Sequence, residues 1–244
     1  MLRDIDRLGG AKEIWCLGDI VGYGPDPREC ISLVRELCSV CVTGNHDWVA
    51  TSKVDTSAFN PEATEAILWT RQQLGSEETE FLDSLPLISE RGNFTLAHGS
   101  PRDPIWEYIL TSLEAKENLN YFRTRYCLIG HSHLPLLYEC ARSCLMRRLS
   151  TGTTFRGVVH AGAGDTHTDF QTVRLGLEEK RFIINPGSVG QPRDKDARAA
   201  YALYNSENNT IDFCRVKYDI SATQQRMEKA RLPNWLIGRL ERGE

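Results

Sequence analysis

The sequence predicts an α/β protein. Short apolar runs alternate with helix-like segments through the first 130 residues. Four of those runs end in a glycine beside a side chain able to bind metal. The second half is strand-rich and closes on a helical tail.

The elements read as follows. Leu2 to Leu8 reads as the tail of a helix stopped by Gly9 and Gly10. Ile14 to Leu17 is a short strand running into Gly18-Asp19. Pro27 to Leu37 reads as a helix, with Pro27 suited to its first turn. Val40 to Val42 is a strand ending at Gly44-Asn45-His46-Asp47. Pro61 to Leu74 and Glu77 to Leu85 read as helices capped by Asn60 and Ser76. Phe94 to Ala97 is a strand leading to His98-Gly99-Ser100-Pro101, and a helical stretch covers Ser112 to Tyr121. Tyr126 to Ile129 is a strand leading to Gly130-His131-Ser132-His133. Residues 139–167 are irregular and read as an inserted hairpin or loop. Phe182 to Ile184, Ala200 to Tyr204 and Ile211 to Val216 are strands, and Ser221 to Arg242 is helical with a break at Pro233.

With 244 residues, 41% of them hydrophobic and 25% charged, the chain suits one sizeable core. No repeat or linker is evident, so a single domain over 1–244 is expected. The net charge of −4 offers no basic excess for a phosphate backbone, which excludes general nucleic-acid binding. No apolar run approaches the ~20 residues that span a bilayer, and the first residues lack the apolar centre of a signal peptide. The cytoplasm is the expected compartment. Of eight cysteines, Cys16, Cys38, Cys41, Cys127 and Cys214 lie in or beside apolar stretches and read as small buried hydrophobes. A zinc knuckle built from Cys38, Cys41, Cys140 and Cys144 is the weaker reading.

The chemistry collects where the strands end. In open α/β sheets, sites form beyond the carboxyl ends of strands, and glycine lets the backbone turn there and approach a ligand. Four of the six histidines lie in these motifs. Carboxylate, amide oxygen and imidazole without thiolate suit Mn, Fe or Zn. His131 and His133 alternate, so on a strand they would share a face. His160, Asp165 and His167 are also metal-capable, but their glycine-rich surroundings favour a solvated loop.

The order Gly-Asp, Gly-Asn-His-Asp, His-Gly and Gly-His-Ser-His resembles the signature of calcineurin-like metallophosphoesterases. The strings from Gly18 to Pro27, Ala97 to Arg102 and Asn185 to Arg193 look like the family's small bacterial and archaeal phosphodiesterase branch. The resemblance implies a four-layer α/β/β/α sandwich of two mixed sheets flanked by helices. It implies hydrolysis of phosphomonoesters or phosphodiesters by a hydroxide bridging two divalent ions, manganese foremost. Carried over by position, Asp19 matches the bridging carboxylate, and Asn45, His98 and His131 match the other ligands of one ion. His133 matches a ligand of the second. His46 matches the histidine that stabilises the transition state or protonates the leaving oxygen, and Asp47 its orienting carboxylate. Tyr23, Arg102 and Arg193 lie in the family-like strings and are expected to contact substrate phosphate, a surface salt bridge being the alternative for each arginine. The glycines of Pro186-Gly187-Ser188-Val189-Gly190 either present N–H groups to an anion or make a turn.

The sequence departs from the family at its front. The family opens with a strand ending in Asp-x-His, and no Asp-x-His precedes Gly18 here. The expectation is a chain begun at an internal Met, lacking its first strand, with one incomplete metal site and weak or no turnover. The alternative is a degenerate module that holds one ion and binds phosphorylated ligands. The partner expected is a phosphate-ester substrate and not a membrane, with self-association left open.

Overall fold

The computed structural model describes residues 1–140, 144–148, 169–175 and 180–244. The chain begins with α1 (Leu2–Arg7), whose Ile5 is buried and whose exit turns at Gly9 and Gly10, with φ of 106° and 81°. β1 (Ile14–Cys16) follows, then α2 (Pro27–Leu37) and β2 (Cys38–Cys41). Proline begins α2, as its locked φ and missing N–H allow. The next helices are α3 (Asn45–Ala50), α4 (Pro61–Gln73) and α5 (Ser76–Ser84). Asn60 caps α4, its Oδ1 accepting from the Ala63 N–H at 2.8 Å. Ser76 does not cap α5. Gly75 holds that place, and its N–H donates to Glu78 Oε2 at 2.8 Å.

The large sheet is built from β3 (Ile88–Arg91), β4 (Phe94–Ala97), β5 (Tyr126–Leu128), β6 (Pro135–Cys140), β7 (Cys144–Arg148) and β9 (Arg181–Pro186). Its order is β3-β4-β5-β9-β6-β7, with β4, β5 and β9 parallel and the outer strands antiparallel. β8 (Asp169–Arg174), β10 (Ala199–Asn205) and β11 (Thr210–Val216) form an antiparallel triple in the order β10-β11-β8. β1 and β2 form a parallel pair. The second of the two expected sheets is thus divided, among the described residues, into this pair and the triple. α6 (Ser112–Asn118), α7 (Ile220–Lys229) and α8 (Asn234–Arg242) complete the chain, with the tail broken at Pro233 as its sequence requires.

One core lies between the large sheet and the two smaller ones. Phe94, Tyr126, Phe182 and Ile184 from the large sheet meet Ile211 and Phe213 of β11, with Trp15 and Val40 of the pair packed alongside. Burying a side chain such as Phe182 stabilises the fold by roughly 1.5–3 kcal/mol. The opposite face of the large sheet is covered by Ala115 of α6 with Ile109 and Phe122. α1 lies over the outer face of the triple, where Ile5 packs with Tyr201 and Cys214 and the Tyr201 hydroxyl donates to Asp4 at 2.6 Å. The result is a mixed α/β molecule with sheets flanked by helices. Among the described residues, no helix is long and apolar enough to cross a membrane.

The irregular segment expected over 139–167 begins as an ordered hairpin, β6 pairing with β7 from Leu136↔Arg148 to Cys140↔Cys144. The remainder, including His160, Asp165 and His167, lies outside the described residues. The zinc-knuckle reading of the cysteines fails. Cys38 and Cys41 are free and bound the two ends of β2, and Cys140 is disulfide-bonded and has no thiolate to give.

Candidate metal centre

Four strand ends deliver the site. β1 and β2 run parallel, as do β4 and β5, so their carboxyl ends open toward common edges. The backbone immediately beyond them is bent in an uncommon way. Asp19, His131 and His133 all have left-handed φ, at 53°, 53° and 60°. Non-glycine residues seldom adopt this conformation, and such positions cost on the order of 1–3 kcal/mol each. His131 and His133 therefore do not share a strand face as alternation suggested; both lie in the turn after β5.

That turn is pinned from behind by Asn185, which is fully buried. Its Nδ2 donates to the Gly130 carbonyl and, at 3.0 Å, to Ser132 Oγ, while its Oδ1 accepts from the Gly187 N–H at 3.0 Å. The Gly187 turn thus spends this N–H inside the protein. The β1 and β2 loops are joined by exchanged carboxylate bonds. Asp19 Oδ1 accepts from the His46 N–H at 2.9 Å. Asp47 accepts from the N–H groups of Ile20 and Val21 at 2.9 and 3.3 Å through Oδ1, and from Gly44 at 2.9 Å through Oδ2.

Donor atoms now converge. His98 Nε2 lies 3.1 Å from Asn45 Oδ1, 3.1 Å from His131 Nδ1 and 3.3 Å from Asp19 Oδ2. His98 Nδ1 lies 2.7 Å from the Leu17 carbonyl, to which it must donate. In neutral His98 this fixes the tautomer and leaves the Nε2 lone pair facing the amide oxygen and the carboxylate. Lone pairs packed against lone pairs in a buried pocket call for a proton or a cation between them. Ligand atoms of Asp19, His98 and His131 all lie within 4.8 Å of one another, so one divalent ion fits the set. His133 stands apart from this group. Its Nδ1 donates to the Gln191 carbonyl at 2.7 Å, which leaves Nε2 as its ligating atom.

The electrostatics agree with a cation site. Burial resists the charged form of His98, but the charge and hydrogen bond of Asp19, with the Leu17 carbonyl, outweigh it and raise its pKa. Burial also works against ionised Asp19, yet His98 and His46 hold its pKa well below the ordinary range. His131 is lowered to about 4 by burial and by the charge of His98. Burial and the neighbouring Arg193 hold His133 well below the ordinary histidine range. Burial lowers His46 to about 4, while burial and the charge of Asp19 push Asp47 up to about 7 against the pull of the Gly44 N–H.

The other expected site residues divide. His46 packs in tilted contact against Tyr23 at 4.3 Å between ring centroids and against Phe59 at 4.5 Å, and its Nδ1 is buried with no hydrogen-bond partner. Asp47 therefore does not orient His46. Its carboxylate holds the β1 loop to the β2 loop instead. Arg193 Nη2 lies 3.4 Å from the Tyr23 hydroxyl, so these two stand together beside His46. Arg102 does not join them. Its guanidinium is paired with Glu107 and Glu117, so it has no free fork for a phosphate.

Sequence reasoning overlooked Asn185 as a fastener, although it opens the family-like string. It also overlooked Gly22, where a Cβ would come within 2.9 Å of His46 Cγ. Tyr108 was overlooked too; it stacks on His131 with ring centroids 4.0 Å apart and planes 22° apart. A Gly following the Gly18-Asp19 motif by three residues was the one local signal for the second of these.

Known proteins resemble this chain in sequence and fold. Residues 2–209 match the model of the calcineurin-like phosphoesterase superfamily domain. An uncharacterised protein of Methanocaldococcus jannaschii, MJ0912, is 37% identical over 98% of this chain and 90% of its own. A crystal structure of a metallophosphoesterase from Sphaerobacter thermophilus superposes with a TM-score of 0.81 at 39% identity, covering 98% of this chain and 91% of that one. The hypothetical protein PH1004 of Pyrococcus horikoshii shares the fold, with a TM-score of 0.71 at 20% identity over 99% and 90% of the two chains. The chain belongs to the calcineurin-like phosphoesterase superfamily.

Proposed function

We propose that this protein hydrolyses phosphomonoesters or phosphodiesters with the help of divalent ions, manganese foremost among Mn, Fe and Zn. The family implies divalent metal, and the observation that carries the reading is the convergence of Asp19, Asn45, His98 and His131 on one buried locus. Ions bound there supply Lewis acidity toward the phosphoryl group. Asp19 and His133 are the groups for a second ion. Leu17 and Gln191 fix the histidine tautomers through their carbonyls, so each imidazole offers a lone pair without reorganising. His46, set between Tyr23 and Phe59 and neutral above a pKa of about 4, would turn its remaining ring N–H to stabilise the transition state or protonate the departing oxygen. Arg193 with Tyr23 engages the phosphate from the side of His46.

Turnover by these 244 residues is weak in this reading. Among the described residues, Asp19, His98 and His131 are the one group of three His, Cys, Asp or Glu gathered closely enough to hold an ion. The same observation favours the second reading, a one-ion module that binds phosphorylated ligands without turnover. Two measurements on the manganese-loaded protein separate them: ions bound per chain, and nitrophenol released from bis(p-nitrophenyl) phosphate. Manganese-dependent release that is abolished in Asn45→Ala and His98→Ala supports the hydrolase. One ion with no release leaves the module, and no metal uptake overturns both.

A further inference from the structure

We propose that Cys16 and Cys41 are a reversible disulfide site beneath the metal loops, closed by low-molecular-weight disulfides, and that closing it weakens manganese binding. The two residues face each other across the parallel pair, as Cα partners at the last step of its ladder. Their side chains share one face. Trp15 and Leu17 of one chain segment, and Val40 and Val42 of the other, pack into the core between the sheets. The residues between them, Cys16 and Cys41, therefore point the opposite way. Both thiols are free and only partly buried, whereas Cys127 and Cys214 are buried. Cys38, the other cysteine of β2, is the partner of Ile14 instead. A hydrogen bond between the two thiols lowers the pKa of Cys16 and raises that of Cys41, so Cys16 ionises first.

The Cys16 thiolate attacks a small disulfide RSSR, forming a mixed disulfide and expelling one thiolate. Cys41 gives its proton to that thiolate, and its sulfur then displaces the second, which leaves with the proton released by Cys16. Two protein thiols are oxidised to one disulfide, and one RSSR is reduced to two RSH. Neighbouring strands run about 4.8 Å apart, whereas a disulfide holds its Cβ atoms about 3.8 Å apart. Closure therefore draws β1 and β2 together, and the strain keeps the bond easily reduced. The loops just beyond cannot follow. A Cβ at Gly18 would already lie 2.7 Å from the Gly44 nitrogen, so these backbones have no room to approach. Asp19 and Asn45 ride on those two loops, and Leu17, next to Cys16, holds His98 through its carbonyl. The effect on manganese rests on the metal reading above; the disulfide itself does not.

The test treats the reduced full chain with oxidised glutathione, then maps cross-linked tryptic peptides by mass spectrometry and titrates manganese calorimetrically. The expected product links the peptide of Cys16 to that of Cys41 and is reopened by dithiothreitol. The double variant Cys30→Ser with Cys38→Ser keeps the link, and Cys41→Ser loses it. Manganese affinity falls about ten-fold or more on oxidation, as when other supports of metal ligands are disturbed, and does not change on oxidation of Cys41→Ser. No cross-link, a link to Cys30 or Cys38 in place of Cys41, or a lasting glutathione adduct on Cys16 overturns the site. A Cys16–Cys41 link with unchanged manganese affinity overturns the coupling to the metal centre. A reduced protein that takes up no manganese overturns the metal reading and the coupling together, while the cross-link still decides the site.

Discussion

Replacing Asn185 by Asp changes one group and almost no volume, so it isolates what the amide holds together. Asn185 is fully buried, and its orientation is set by the Gly187 N–H on one side and the Gly130 carbonyl on the other. In the variant one oxygen still accepts from Gly187. The other replaces the donor and faces the Gly130 carbonyl, while Ser132 can reverse its hydroxyl and donate. The loss is thus one hydrogen bond of about 1 kcal/mol and one buried carbonyl left unsatisfied, worth roughly 1–3 kcal/mol. About 3 kcal/mol in total lowers the melting temperature of a chain this size by about 6–12 °C. The new carboxyl resists ionising beside a carbonyl, so its folded pKa lies above its unfolded one. The sign follows from linkage: the deficit is small below the unfolded pKa, grows as pH rises from the unfolded to the folded pKa, and is complete above it. The turn under strain is the one bearing His131 and His133, so manganese affinity falls as well, by about 10- to 100-fold as for other supporting groups of metal ligands. Thermal melts at acidic and neutral pH, with manganese titration by calorimetry, measure both effects. A variant that melts within a degree of the parent at neutral pH and binds manganese equally well would refute the fastening role.

Gly22→Ala places a methyl group against the His46 ring without touching a ligand, since its Cβ would lie within 2.9 Å of His46 Cγ and Gly22 itself has φ 144°. Manganese stoichiometry should be kept while kcat on bis(p-nitrophenyl) phosphate falls about 10²- to 10⁴-fold, the span of a lost acid–base group; metal content and steady-state kinetics read the two separately. The two arginines should part company in the same assay. Arg193→Ala raises KM, whereas Arg102→Ala leaves KM unchanged and costs little stability, because water screens its ion pairs with Glu107 and Glu117.

How much of this could be read in the sequence depended on how local each cause was. α2 and β4 lie where their residues put them, because Pro27 starts one and four consecutive buried residues make the other. β3 escaped notice because it is a polar edge strand, Ile88-Ser-Glu-Arg, with little buried surface to leave a pattern. α3 is six residues long and follows directly on a motif, so it offers no periodicity to detect. The donors Asp19, Asn45, His98 and His131 were legible because each follows a glycine-marked strand end or lies within such a motif. What Asp47 and Arg102 do was not. Their partners are backbone N–H groups some 26 residues away and carboxylates 5 and 15 residues away, and only tertiary structure decides which acceptor wins.

The strained backbone and the crowded lone pairs are two sides of one arrangement. A left-handed residue at Asp19 turns its carboxylate back toward His98, and the same conformation at His131 brings Nδ1 within 3.1 Å of His98 Nε2. Neither feature lowers the energy of the protein by itself. Left-handed aspartate and histidine cost energy, and an amide oxygen, a carboxylate and two imidazoles facing one another cost more. A chain selected for stability alone would relax both. Asn185 and the Asp19–Asp47 exchange between loops hold the backbone in place, and a bound cation would convert four repulsive lone pairs into four bonds. The rigidity therefore belongs to the loop fasteners and the attraction to the ion. It follows that substitutions at Asn185 act on metal affinity through geometry, and substitutions at His98 act through the bond itself.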